Sequence, residues 1–587
     1  MFAYSVILTI LSGNFGFDGD DWWVLGWAYW HKFPGSILGY AKDFLRPVEG
    51  IYWISMFQFF GFNRIAFHFA SLTLLATSCI LMGKCLSKAF PSRSSFVVLS
   101  TMVAFFLPMV SCLTYIVFTD NSRISLLLFW ASTLTFQFWP EKPSSWPRLV
   151  IPVCLYLCSF LTYESPSFLI FVIPLLVWPI HKRNRTISDK RFLIFLAGAI
   201  FVSFTGAIIC RYTFMNGGVV DAAGLTPSTE LLWSYLVLLP FYLIAPFKSL
   251  PGLSWPVFLG AMSTVWSIFV IYNTQSRPQN GESPKQNCVQ NVPNETLYIV
   301  ILGFGILFLG MAPYQIAGYG SSDPKIVDTV WAKLGMINDP HPAWFNFNEA
   351  SRIYSSASYG MAILIAVAAT VWKRNIVRNT AQILIAVAIG FMAAFHAGLS
   401  LDWKEASMIR NKLIGSLAIK APSVRNGTNF VFVDLELYHK RAAVIRGWSG
   451  LRELIRMLYN NPSLGAWYVY PSDTAWPNTS RQQAIISPTG FISRGMDLDH
   501  PAQSGTLLIF RRQGSNLLLL NKLSSNDDFV QSGISWQGCD ELRSNPTRII
   551  EWCAPNQGAS RCSRDPWNTG LILSLGLARE SFSQTPP

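Results

Sequence analysis

Charge is scarce in this chain. Of its 587 residues only 13% are Asp, Glu, Lys or Arg, about half the share that a soluble globular domain carries. A water-soluble surface of ordinary polarity is therefore excluded for most of the length. The sequence also lacks any RNA- or DNA-binding motif. Its net charge of +13 sits mostly in short loops between apolar runs, where the positive-inside rule accounts for it and no nucleic-acid partner is needed. The ten cysteines fit no zinc pattern. Cys79, Cys85, Cys112, Cys154, Cys158 and Cys210 lie in apolar runs, as core thiols do. Cys154 and Cys158 stand one helical turn apart, which is a packing spacing. Cys539, Cys553 and Cys562 cluster near the C-terminus, and one pair could form a disulfide in an oxidising compartment.

What is abundant is apolar and aromatic. Hydrophobic residues make up 51% of the chain and aromatic residues 14%, with a mean hydropathy of +0.34. Apolar runs of about 20 residues recur through the first two-thirds, as in a polytopic α-helical membrane protein. The 22 Trp and 20 Tyr suit long interfacial belts. Spans are expected at 64–86, 94–112, 123–139, 149–162, 165–180, 192–210, 256–272, 297–312, 356–372 and 380–398. Phe2–Leu11 is apolar but too short to span, with no basic flank and no cleavage site; it reads as a first helix with a clipped start. Leu231–Ala245 is taken as interfacial or re-entrant, which gives about 11 transmembrane helices. Residues 274–295 read as a flexible loop.

Three basic loops fix an expected orientation: Lys84, Lys88 and Arg93; His181 to Arg185 with Lys190 and Arg191; and Lys373, Arg374 and Arg378. All three belong on the cytoplasmic side. Residues 1–399 then form the membrane domain, with a first external loop at 14–63 that holds amphipathic pieces. Residues 400–587 form a small extracytoplasmic α/β domain, disordered from about Ala578. Its expected strands are Asn429–Leu435, Ala466–Tyr470, Thr506–Arg511 and Asn516–Leu520, with a helix at Leu451–Tyr459. That domain contains no Gly-rich phosphate loop, no Cys/His metal spacing and no nucleophile elbow.

Against this background one stretch stands out: Phe17-Asp18-Gly19-Asp20-Asp21-Trp22-Trp23. Three carboxylates crowd into four positions, where like charges raise each other's pKa. The expected topology sends four features to the same side of the membrane. They are the acids Asp18, Asp20 and Asp21; Arg46-Pro47 at the end of the same loop; Tyr163-Glu164 at a helix corner; and Arg352 with Tyr354 just before a span. Carboxylates and arginines in one wet pocket suit transfer from a phosphate-linked donor. Arg grips phosphate oxygens in a bidentate fashion, a carboxylate can accept a proton from an acceptor hydroxyl, and two or three acids could instead hold a divalent metal such as Mg or Mn. Singly, Arg46 also fits a snorkelling interfacial residue, Glu164 a helix cap, and Arg352 a membrane border. His68 lies just inside a span as a packing residue that could support the site.

The order Asp20-Asp21-Trp22, Phe44-Leu45-Arg46-Pro47, Gly61-Phe62-Asn63 and Phe67-His68 resembles the start of GT-C superfamily glycosyltransferases. The likeness is to bacterial dolichyl-phosphate-mannose mannosyltransferase-like proteins and to the tetratricopeptide O-mannosyltransferases. Leu161-Thr162-Tyr163-Glu164 is similar to their acidic hairpin. The chain departs from the pattern at Val48, Arg64, Ser71 and Leu75, and no tetratricopeptide period follows. The resemblance implies a GT-C fold in the bacterial inner membrane and a polyprenyl-phosphate-linked sugar donor. It also implies inverting transfer at the extracytoplasmic face to a glycan, lipid or protein acceptor. It assigns Asp20 and Asp21 as base or metal ligands, Glu164 as a further catalytic acid, and Arg46 as the phosphate clamp, to which the expected topology, and not a local motif, adds Arg352. Two other readings stay open, a catalytically inactive GT-C-like scaffold and a lipid-linked-sugar flippase, although no internal repeat of the transporter kind occurs.

Overall fold

The computed structural model describes residues 1–12, 16–17, 19–30, 39–40, 46–110, 117–139, 147–184, 188–214, 255–276, 295–316, 354–372, 374–435, 438–440, 442–445, 448–469, 484–487, 490–493, 502–514, 516–524, 534–536 and 541–543. The expectations for Asp18, Leu231–Ala245, Arg352, Cys112, the last three cysteines and the tail from Ala578 lie outside these residues. So does most of 274–295.

Local chemistry sets the helix ends. Helix α1 is Phe2–Ser12 and α2 is Gly19–Trp30. Helix α3, Pro47–Phe60, opens with proline at its first position, where the missing N–H is no loss. It closes at Gly61, whose φ of 53° favours glycine. Helix α4, Arg64–Ala89, is capped by the Asn63 side chain, which accepts from the Ala66 N–H at 3.2 Å. Helix α5, Ser94–Phe106, stops because Leu107 precedes Pro108 and is driven to ψ 130°. Helices α6 (Asp120–Phe138), α7 (Pro147–Thr162), α8 (Ile173–Asn184), α9 (Asp189–Phe214), α10 (Trp255–Ser276), α11 (Glu295–Ile316) and α12 (Ala357–Thr370) follow. Helix α13 runs unbroken over 46 residues, Asn375–Lys420, so the expected domain boundary at residue 400 falls inside it. Helix α14 is Trp448–Leu458.

Among the described residues five helices are long and apolar enough to cross a membrane: α4, α9, α10, α11 and α13. The sequence led us to expect about 11 spans. Helices α5, α7 and α12 are apolar but shorter, because Pro108, the Tyr163 corner and the segment after Thr370 interrupt the runs. The expected loop at 14–63 is largely helical, since α2 and α3 lie within it. Helices α10 and α13 touch backbone to backbone: a Cβ on Gly260 would fall 2.6 Å from the Gly390 carbonyl oxygen. Such small-residue contacts are how helices associate where no water drives them together.

The bundle has two distinct ends. At one, Arg183 bonds the Lys88 carbonyl and Arg93 pairs with Glu295 at 3.0 Å. The other holds the start of α4, the Tyr163–Glu164 corner and the start of α12. There Ser165 meets the Ser355 and Ser356 hydroxyls at 3.0 and 2.5 Å, and His396 of α13 meets the Phe106 carbonyl at 3.1 Å. The first two basic loops and the acidic stretch thus sit at opposite ends.

Beyond α13 a four-stranded sheet runs in the order Gly465–Val469, Asn429–Val433, Leu507–Gln513 and Asn516–Leu520. The first three strands are parallel and the last closes an antiparallel hairpin. Helix α14 connects the first parallel pair. The sheet is tied to α13 where the Leu517 N–H meets Ser416 Oγ at 2.9 Å, and a separate two-stranded ribbon, Tyr438–His439 with Ala442–Ala443, meets the same helix where Glu405 takes His439 and Lys440 at 3.1 and 2.6 Å.

Candidate functional site

The Arg46 side chain is the centre of the site. Proline at the next position starts α3 and leaves Arg46 at the helix N-cap, facing the corner after α7. Its Nη2 donates to Glu164 Oε1 at 2.8 Å, its Nη1 lies 3.6 Å from Glu49 Oε2, and its guanidinium carbon stands 4.5 Å over the Tyr163 ring. Residues 118 positions apart are thereby joined. The pair is not sealed, since Arg46 keeps 20% and Glu164 31% of its side-chain surface. Burial acts against the Arg46 charge, but Glu164 and then Glu49 outweigh it, and the pKa rises above the ordinary arginine value.

Glu49 is fully buried. Its Oε1 accepts from Trp53 Nε1 at 3.4 Å and from Asn121 Nδ2 at 3.2 Å. Burial raises its carboxyl pKa, while Arg46 and hydrogen bonds from Tyr40 and Trp53 pull it partly back. Next to Asn121 sits a second buried ion pair, Asp120 with Arg123, both side chains fully covered. Asp120 Oδ2 also accepts from the Tyr52 hydroxyl at 2.5 Å and from Ser71 Oγ at 3.0 Å. Buried charge persists only when paired and hydrogen-bonded in this way. Neither Glu49 nor Asp120–Arg123 was singled out from sequence. Glu49 follows Arg46 by three residues, a helical pairing distance that could have marked it.

The acidic stretch lies beside this network. Asp21 sits on α2 and is fully buried. Asp20 is on the same helix, with its side chain outside the described residues. Just before the helix, the Gly16 carbonyl accepts from His68 Nε2 at 3.2 Å, so His68 supports the acidic stretch and does more than pack. Aromatic rings connect the two regions: Phe17 to Phe67 at 5.6 Å and Phe67 to Trp53 at 6.3 Å between centroids. Tyr354, two residues after Arg352, is fully buried. The structure therefore joins Arg46, Tyr163 and Glu164, and places Asp21 and His68 in the adjoining layer.

Among the described residues no group of three His, Cys, Asp or Glu side chains could hold a metal ion. Asp18 and the Asp20 side chain, which the sequence offered beside Asp21 for Mg or Mn, lie outside the described residues, and no step below runs through a metal. Compared with known families, curated proteins and solved structures, the chain has no match.

Proposed function

We propose that the chain is an integral-membrane glycosyltransferase of the GT-C type, working at the extracytoplasmic face of the bacterial inner membrane. It would move a sugar from a polyprenyl-phosphate-linked donor to an acceptor hydroxyl with inversion. The observation that carries this reading is the partly exposed Arg46–Glu164 pair over Tyr163. A cation held by an exchangeable carboxylate suits an incoming phosphate, which can replace Glu164 and take the bidentate face of Arg46. The bond from the sugar to the acceptor oxygen forms as the bond to the donor phosphate oxygen breaks. The acceptor proton passes to Asp20 or Asp21, and polyprenyl phosphate leaves against Arg46, with Arg352 as a second contact.

The full chain in lipid nanodiscs, given polyprenyl-phosphate sugars, should release polyprenyl phosphate. Asp21→Asn should stop that release without loss of folded protein, and Arg46→Lys should impair it nearly as much. Unchanged release in both variants would remove the proposal. The burial of Asp21 favours a second reading, an inactive scaffold with the same fold. In that case neither donor nor acceptor would be consumed by the wild type.

A further inference from the structure

The helix that carries Asp20 and Asp21 is seated by the last third of the chain. Arg410 on α13 is almost wholly buried. Its Nη1 donates to the Phe17 carbonyl and lies 3.5 Å from the Val444 carbonyl, while Nη2 reaches Ser407 Oγ at 3.0 Å. The guanidinium also faces the Trp22 ring at 5.8 Å. It lies so close to the chain that a Cβ on Gly16 would fall 1.8 Å from Nη2, at a residue whose φ is +67°. Helix α14 supports the same element from another side. A Cβ on Gly450 would meet the Gly19 carbonyl oxygen at 1.8 Å, and Gly26 abuts Glu453. Further along, the Tyr29 hydroxyl donates to Asn460 Oδ1 at 2.9 Å.

A buried guanidinium needs its acceptors, and here they belong to three separate segments: 16–17, α13 and 442–445. Arg410 therefore fixes the distances among them. The start of α2 follows the Phe17 carbonyl by two residues, so its position, and that of Asp21, is set from α13.

We propose that Arg410 is a positioning residue for the acidic stretch, and that the C-terminal region is an obligatory seat for Asp21 and not a detachable appendage. This goes beyond the transferase reading and does not depend on it.

The test is thiol accessibility in the full chain in nanodiscs. An Asp21→Cys background is labelled with N-ethylmaleimide, and position 21 is followed by peptide mass spectrometry beside the buried native Cys79 and Cys85. The introduced thiol should be slow to react in that background. Adding Arg410→Ala should speed its labelling roughly tenfold or more, the factor that losing a charge-assisted hydrogen bond implies, with Cys79 and Cys85 still protected. Arg410→Lys, which can keep one donor on the Phe17 carbonyl, should restore part of the protection. Gly16→Ala, which pushes the guanidinium away from the opposite side, should reproduce the Arg410→Ala result. Equal labelling of position 21 with and without Arg410, or loss of protection at Cys79 and Cys85 together with it, would overturn the proposal. The same holds for Gly16→Ala should Arg410→Ala not fold.

Discussion

Removing Arg123 alone should be far more damaging than removing it together with the charge on Asp120. Both side chains are fully covered. Once the guanidinium is gone, Asp120 keeps two neutral donors among the described residues, Tyr52 at 2.5 Å and Ser71 at 3.0 Å. An uncompensated buried charge costs about 3–5 kcal/mol. Arg123→Met should therefore lose about that much stability, and Asp120→Asn a similar amount for the opposite reason. In the double variant no buried charge is left at this pair. The introduced amide can still accept from Tyr52 and Ser71, and Met fills most of the Arg volume. Its loss should be far below the sum of the singles, a coupling of about 3 kcal/mol or more. Unfolding in nanodiscs, followed by tryptophan fluorescence, gives the four values of the cycle. A double variant no more stable than either single, or a neutral Arg123→Met, would refute the reasoning.

Other predictions follow from single contacts. Asn63→Ala removes the α4 cap and should lower stability by about 0.5–2 kcal/mol in the same unfolding assay. Glu164→Gln removes a charge from a pair that keeps only 20% and 31% of its side-chain surface, so stability should fall by about 1–3 kcal/mol, and sugar transfer should fall sharply. Glu49 carries a pKa raised by burial, so it stabilises the fold fully below the unfolded carboxyl value, about 4.3. That stabilisation is lost as pH rises through the folded value. Glu49→Gln should flatten this part of the melting temperature against pH, and an unchanged profile would show that Glu49 does not titrate there.

Much of the helix layout was legible because strong punctuation surrounds the apolar runs. Asn63 and Pro91 mark ends that the structure reproduces within a few residues, whereas the span expected at 94–112 ran through Pro108 and its helix ends at Phe106. The span expected at 380–398 was cut short by Asp402, Lys404 and Glu405. Yet Asp402, Trp403, Ala406, Ser407 and Arg410 are all buried, so one face of α13 stays covered after the mean hydropathy has fallen. An averaged property cannot see a face. Helices α2 and α3 were legible only as amphipathic pieces within a loop, at Trp27–Trp30 and Ile51–Phe60, since the aromatic residues crowding both blur the stripe. Arg46, Glu164 and Asp21 stood out because charge is rare near the apolar runs, and Tyr163 because it precedes Glu164. Asp120, Arg123 and Arg410 were equally rare, but each stands at or beyond the end of an expected span and none was singled out. An ionisable side chain at such an edge has to find a partner, and asking which partner it finds is the signal that sequence reading passed over.

The central claim is that Arg46 receives the phosphate of a polyprenyl-linked donor in place of Glu164. Native mass spectrometry of the full chain in nanodiscs, titrated with polyprenyl phosphate, tests it without requiring the sugar or acceptor to be known. Saturable binding to the wild type is expected, with a loss of about tenfold or more in affinity for Arg46→Lys, which cannot make the bidentate contact. Equal affinity in the two proteins would contradict it.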